Sequence, residues 1–286
     1  MQRLKGKVAL VTGASRGGGR GIALVLGEEG ATVYVTGRSV RGASTRPDLP
    51  GTTIDDTAEL VTARGGVGIP VRCDHAVDSQ VEALLECVKQ EQGHLDILVN
   101  NAWGGYEEDD GIFDAPFWEL SLSRWRKMLM AGVLSTMVTS YFAVPLMLPQ
   151  RQGLIVNTTL DWEQYSGGCL FYYTAKNAIN RMTFGMAYEL RAYNIAAVGL
   201  APGWMRTEAV MSNKPPHKRP PVEELEWSES VEYVGRAVVA LATAPDVMEK
   251  AGRILHTRDL GREYGFTDID SKDPLFYHGC EGWSAT

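Results

Sequence analysis

Short apolar runs alternate along the chain with longer stretches in which apolar residues recur every three or four positions. The runs predict strands at Val8–Val11, Val33–Val35, Val67–Cys73, Ile97–Val99, Leu154–Asn157, Ala196–Leu200 and Ile254–His256. The helical spacing predicts helices over Gly17–Glu29, Asp55–Ala63, Asp78–Gln90, Leu170–Ala192 and Val231–Ala242, with a further long one capped by Ser123 and running to Leu148. Polar, Gly- and Pro-containing segments read as loops: Ser39–Thr53, then Trp103–Leu122 with its acidic run Glu107-Glu108-Asp109-Asp110, and a flap over 204–228 holding Pro215, Pro216, Pro220 and Pro221. The tail to Thr286 reads as mostly irregular.

Strands that are apolar throughout and alternate with helices predict a parallel sheet covered on both faces. The fold class is therefore α/β: a Rossmann-type doubly wound sheet of about seven strands. No compositional shift divides residues 1–286, so one domain is expected. Ligands of such sheets bind outside the carboxyl ends of the strands, and the chemistry-bearing residues below fall at or beside those ends.

The formal net charge of -7 gives a nucleic-acid partner no electrostatic support. Four irregularly spaced cysteines (Cys73, Cys87, Cys169, Cys280) suit a reducing cytoplasm, and neither they nor the five histidines show metal-ligand spacing. The first strand begins too early to leave room for a signal peptide. Met128–Gln150 carries no charge and has about the length of a bilayer span. Its Ser135, Thr136, Thr139, Ser140, Tyr141 and Pro145 point instead to a helix buried between protein surfaces, so no membrane partner is expected.

Strand, glycine turn and helix together predict a phosphate site in the stretch Thr12–Gly21, with a tight structural turn as the alternative. Backbone N–H groups and a helix N-terminus face an anion there, and missing Cβ atoms admit a pyrophosphate. Gly13, Ser15, Arg16, Gly17, Gly18 and Gly19 are the candidates. No acidic residue follows the second strand to receive a ribose 2′-OH; Arg38 stands there, and with Arg16 it could clamp a 2′-phosphate. NADP(H) is therefore expected over NAD(H). Asp74, after the third strand, could accept from an adenine amino group or serve as a turn residue.

Tyr172 and Lys176 are one helical turn apart and share a face. A phenol of pKa about 10 is a poor base, but a nearby ammonium favours its phenolate. Such a pair can pass a proton to a carbonyl oxygen or take one from an alcohol. Tyr173 has Asn177 at the corresponding spacing, so Tyr172 is the candidate. Thr159, at the end of the fifth strand, could hydrogen-bond the substrate oxygen or be satisfied by backbone. Trp103, Trp162, Tyr165, Phe171, Trp204 and Met205 lie near the expected pocket and suggest a bulky, apolar ketone, aldehyde or secondary alcohol.

These motifs resemble the classical short-chain dehydrogenase/reductase (SDR) family over essentially the whole chain. Thr12-Gly13-x-x-x-Gly17-x-Gly19 is similar to its cofactor turn and Asn100-Asn101-Ala102 to its fourth-strand motif. Tyr172-x-x-x-Lys176 is similar to its catalytic pair, and Pro202-Gly203 with Thr207 to its sixth-strand motif. The opening and Gly252–Gly265 look most like the subgroup around dehydrogenase/reductase SDR family member 1. The resemblance implies that Tyr172 is the general acid/base and that Lys176 binds the nicotinamide ribose and lowers the tyrosine pKa. It also implies that Asn101 and Ala102 line the adenosine ribose, and that Pro202, Gly203 and Thr207 hold the carboxamide. The uncharged helix would be a dimer helix within a homodimer or homotetramer. Four positions depart from the family pattern: Thr159 replaces serine, Gly132 replaces asparagine, Trp103 replaces glycine and Gly18 replaces isoleucine. The missing asparagine at 132 and the threonine at 159 motivate a rival, a nucleotide-binding or redox-sensing protein with little catalysis.

Overall fold

A computed structural model describes residues 2–105, 115–161, 170–212, 225, 228–271 and 274. Its strands are β1 (Val8–Val11), β2 (Thr32–Gly37), β3 (Val67–Arg72), β4 (Ile97–Asn100), β5 (Gly153–Thr158), β6 (Ile195–Ala201) and β7 (Ile254–His256). All pair in parallel in the order β3-β2-β1-β4-β5-β6-β7. The helices between them are α1 (Gly17–Glu28), α2 (Ile54–Ala63), α3 (Asp78–Gln92), α4 (Leu122–Met128), α5 (Ser135–Met147) and α6 (Leu170–Leu190). After β6 come α7 (Glu208–Met211), α8 (Val231–Thr243), α9 (Val247–Lys250) and α10 (Thr257–Tyr264).

Successive strand residues point to opposite faces, so an all-apolar strand feeds two cores. Val11, Val35, Val99, Val156 and Val198 pack with Ile22 and Leu26 of α1 and Val234 and Val238 of α8. Leu10, Tyr34, Leu98 and Ile155 pack on the other face against Leu84 and Val88 of α3 and Ala143 and Met147 of α5. Each such fully buried aliphatic side chain stabilises the fold by roughly 1.5–3 kcal/mol. Because β1 has β2 on one side and β4 on the other, the chain leaves the sheet in opposite directions there, and a crevice opens at their carboxyl ends.

α1 lies against α8 without side-chain spacing: a Cβ on Gly21 would stand 1.7 Å from the Val231 carbonyl oxygen. α2 begins in a capping box, with Asp56 N–H donating to Thr53 Oγ1 and Thr53 N–H to the Asp56 carboxylate. This closes the polar loop Ser39–Thr53 at a defined point.

Three elements differ from the expectation. β3 is an edge strand with Val67 half exposed, not a buried one, and the edge position is what tolerates Pro70. The long helix is capped by Ser121, whose side chain accepts from Ser123 N–H, and not by Ser123 itself. It also widens into a π-helical turn, Leu129–Leu134, between α4 and α5. Ser135 and Thr136 hydroxyls donate at 2.8 Å to the carbonyls of Ala131 and Gly132 in that turn. Finally, the tail is not irregular at its start, since α10 forms directly after β7. Its sequence carries charge at Arg258, Asp259, Arg262 and Glu263 around Leu260, leaving a thin apolar signal.

The run Leu122–Met147 is long and apolar enough to cross a membrane by length and composition. In this fold Met128, Ala143 and Met147 are buried in the protein, while Met130, Met137 and Tyr141 are exposed.

Candidate active site

The crevice at the strand ends is a cavity of about 1070 Å³. At its floor, Thr12 Oγ1 accepts at 2.8 Å from both Asn101 N–H and Ala102 N–H, tying β1 to the exit of β4. Asn101 Nδ2 donates to the carbonyls of Thr12 and Gly13. The approach is too close for side chains. A Cβ on Gly13 would lie 2.9 Å from Ala102 Cα, and one on Gly19 would lie 2.4 Å from the Gly13 carbonyl oxygen. Gly13 and Gly17 also take positive φ, +64° and +59°, the left-handed region that glycine occupies without strain. The turn is thus a backbone cradle of the shape a pyrophosphate needs. Beside Gly18 the Met205 thioether sits close, and a Cβ there would lie 3.2 Å from its Sδ.

Gly13, Ser15, Arg16, Gly17, Arg38, Asp74, Asn101, Ala102, Pro202, Gly203 and Thr207 all line the cavity. Gly18 and Gly19 lie buried beneath it, in the first turn of α1. Arg16 caps α1 in an extended conformation and reaches Ser39 Oγ (3.3 Å) and Thr45 Oγ1 (3.4 Å). Ser39 and Thr45 hydrogen-bond each other at 2.7 Å, and Arg46 also lines the cavity while paired with Asp48. Arg16, Arg38 and Arg46 with two hydroxyls therefore surround the end of β2. Ser39, Thr45 and Arg46 escaped the sequence reading because they lie in a segment with no periodicity. Asp74 uses Oδ1 to accept from Ala76 N–H, the turn role that was its alternative. His75 beside it is buried, bonded to Thr36 Oγ1, and burial lowers its pKa to about 4, so it is neutral.

Thr207 caps α7, its Oγ1 accepting from Val210 N–H, and its methyl lies near Gly17. The next residue, Glu208, places Oε2 2.8 Å from Gly17 N and Oε1 3.8 Å from Arg20. A carboxylate thus accepts from the N–H that opens α1, a donor suited to a phosphate.

At the other end of the cavity, α6 presents Tyr172 on the wall, with Lys176 buried one turn on. Lys176 Nζ donates to the Thr158 carbonyl at 3.1 Å and lies 5.6 Å from the Tyr172 ring centroid. Desolvation lowers its pKa to about 7. Thr159 lines the cavity, but its hydroxyl donates to Asn180 Oδ1 and lies 3.2 Å from the Lys176 carbonyl, so its lone pairs can accept from an alcohol hydroxyl, while donating to a carbonyl oxygen requires it to release Asn180.

Trp103, Trp204 and Met205 line the cavity as expected of a substrate pocket. Phe171 does not. It is buried with Leu120, Met128 and Ala175 and packs on Trp125, because its neighbour Tyr172 takes the cavity-facing side of α6. Trp162, Tyr165, the acidic run Glu107–Asp110 and most of the flap lie outside the described residues. Glu229 is a wall residue that no motif announced. It is 2 % exposed; Oε2 accepts from Thr257 Oγ1 at 2.8 Å and faces the Gly203 backbone, and Oε1 has no partner among the described residues. Burial raises its pKa to about 7, opposed by the Thr257 and Gly203 hydrogen bonds. Among the described residues no group of three or more His, Cys, Asp or Glu is arranged to hold a metal ion.

Comparison with known proteins agrees with this architecture. Residues 7–218 match the family model for short chain dehydrogenases. The chain is 37% identical over 277 residues to dehydrogenase/reductase SDR family member 1 of Mus musculus, covering 94% of this chain and 85% of that protein. It is 30% identical over 211 residues to the 7alpha-hydroxysteroid dehydrogenase of Escherichia coli (strain K12), covering 73% and 75%. Among solved structures, a hydroxysteroid dehydrogenase from Escherichia coli aligns with a TM-score of 0.72 at 26% identity, over 89% of this chain and 96% of that one. The same protein fold is seen in a 7 alpha-hydroxysteroid dehydrogenase complexed with NADH and 7-oxo glycochenodeoxycholic acid, TM-score 0.72 at 26% identity, covering 89% and 94%. Together with the glycine cradle and the Tyr172–Lys176 pair, these similarities show that the chain belongs to the short-chain dehydrogenase/reductase family of oxidoreductases.

Proposed function

We propose that the protein is an NADP(H)-dependent oxidoreductase that interconverts a bulky, apolar ketone or aldehyde and the corresponding alcohol. The observation that carries this reading is one cavity with two furnished ends: the glycine cradle with Arg16 and Arg38, and Tyr172 backed by Lys176. The residues fit the cofactor, since Gly13 and Gly17 line the cavity with backbone in the left-handed region that glycine adopts without strain. When bound, the nicotinamide supplies or accepts the hydride. Gly13, Ser15, Gly17 and the start of α1 would hold the pyrophosphate. Asn101 and Ala102 would line the adenosine ribose, and Pro202, Gly203 and Thr207 the carboxamide.

In reduction, Tyr172 would donate its phenolic proton to the carbonyl oxygen, and in oxidation it would take the alcohol proton. Lys176, one turn away, favours the phenolate while it carries charge. Thr159 would orient the substrate oxygen. The preference for the 2′-phosphate rests on Arg16 held by Ser39 and Thr45, on Arg38 beside it, and on the absence of a carboxylate directly after β2. Trp103, Trp204 and Met205 favour an apolar substrate, and the bile-acid ligand named for the hydroxysteroid dehydrogenase shows the scale of molecule a relative takes. The exposed Met130, Met137 and Tyr141 of the long helix support a homodimer or homotetramer, and the cysteine usage supports a cytoplasmic setting.

The test is a panel of ketones, aldehydes and secondary alcohols assayed with NADPH, NADP, NADH and NAD. Turnover of bulky apolar carbonyls with NADPH is expected. Tight NADPH binding without oxidation across the panel favours the rival reading, a nucleotide sensor, for which Thr159's engagement with Asn180 is the supporting observation.

A further inference from the structure

Trp103 stands where β4 has ended, and three contacts define its ring. Lys176 Nζ lies 4.0 Å from the ring centroid. The Tyr172 ring meets it edge to face, with centroids 5.3 Å apart and planes at 78°. On the third side is Gly132, in the π-helical turn: a Cβ there would lie 2.5 Å from Trp103 Cζ3 and 2.7 Å from Cε3. No side chain fits at 132 while the indole holds this position. Trp103 and Gly132 are therefore one arrangement and not two independent features of the sequence.

Lys176 needs such a neighbour. It is buried, and its Nζ has the Thr158 carbonyl as a hydrogen-bond acceptor, while among the described residues no carboxylate pairs with it. Desolvation disfavours its charged form. An aromatic face offers a desolvated ammonium electrostatic attraction without a counter-charge, worth about tenfold in favour of the cation. The edge-to-face contact fixes the indole against Tyr172, so the same ring touches both members of the proton-handling pair.

We propose that Trp103 is a positioning residue that acts through Lys176: its indole face keeps the ammonium charged and in place beside Tyr172, and Gly132 is glycine to make room for that indole. This rests on the reading of Tyr172 and Lys176 as the reacting pair. It assigns a role to two positions at which the chain departs from the pattern of the family it resembles.

The experiment compares Trp103→Leu, Trp103→Phe, Lys176→Met, Gly132→Ala and the doubles with Trp103→Leu, by urea unfolding and by NADPH-linked turnover. Unfolding should show coupling between Trp103 and Lys176 of about tenfold in the equilibrium constant. Gly132→Ala should destabilise the natural chain and cost much less beside Trp103→Leu. Trp103→Leu should lower kcat by about tenfold with little change in NADPH Kd, Trp103→Phe should recover most of that loss, and Trp103→Leu should add nothing to Lys176→Met. Additive effects in both measurements, or Phe no better than Leu, overturn the proposal. If the natural chain turns over no carbonyl, the oxidoreductase reading fails, while the unfolding cycle still decides the Trp103–Lys176 contact.

Discussion

Glu229→Gln isolates a buried carboxyl in the cavity wall and should change how stability depends on pH. The carboxyl's ordinary pKa of 4.5 rises to about 7 in the fold, where burial outweighs the hydrogen bonds from Thr257 and Gly203. Between those values the folded chain holds a proton that the unfolded chain has lost. Folding is therefore favoured at the lower pH, and this contribution falls as pH rises, reaching its minimum above about 7. At about 1.4 kcal/mol per pKa unit, the natural chain should lose about 3 kcal/mol through this group between pH 4.5 and pH 7.5. Gln cannot titrate and should lose none of it. His75 runs the other way: its lowered pKa makes stability rise with pH between about 4 and the ordinary histidine value. The readout is accordingly the difference between natural chain and variant, taken from urea unfolding at half-unit steps of pH. A difference that stays constant across pH 4.5–7.5, or that grows in the opposite direction, would refute the assignment of a raised pKa to Glu229.

Two other predictions concern the cofactor end. Arg38→Asp should weaken NADPH binding by at least about tenfold and NADH binding far less, by loss of a charge-assisted contact and gain of a repulsion; equal effects on both cofactors, measured by fluorescence titration, would count against the 2′-phosphate clamp. Glu208→Gln should tighten NADPH binding severalfold, since the carboxylate accepts from the Gly17 N–H that would face a phosphate; weaker binding would mean that Glu208 helps to build the site.

Local signals in the sequence were enough to locate every strand among the described residues, because each contains a short run rich in apolar residues, and the glycine cradle and Tyr172–Lys176 pair, because their spacing is intrinsic to a turn and to a helix. What depended on distant partners was not legible. Gly203 and Glu229 are far apart in the chain yet meet in the cavity wall, and Trp103 and Gly132 meet across two elements. Neither pair has a periodicity that could announce it. The π-helical turn leaves the apolar pattern of the long helix intact, so the pattern predicts a continuous helix. Phe171 and Tyr172 are adjacent aromatics, and which one reaches the cavity is set by the rotation of α6 against Leu120 and Met128. The Ser39–Thr53 loop is polar throughout, so its Ser39, Thr45 and Arg46 gained meaning only once the fold placed them around Arg16.

The central claim is that Tyr172 handles the proton at the end of a cavity built for NADP(H), and Tyr172→Phe tests it most directly. The ring and its contact with Trp103 are retained while the phenolic oxygen is removed. Turnover of a carbonyl substrate found in the panel should fall by about 100-fold or more, with NADPH Kd unchanged within about twofold. Turnover near that of the natural chain would contradict the account.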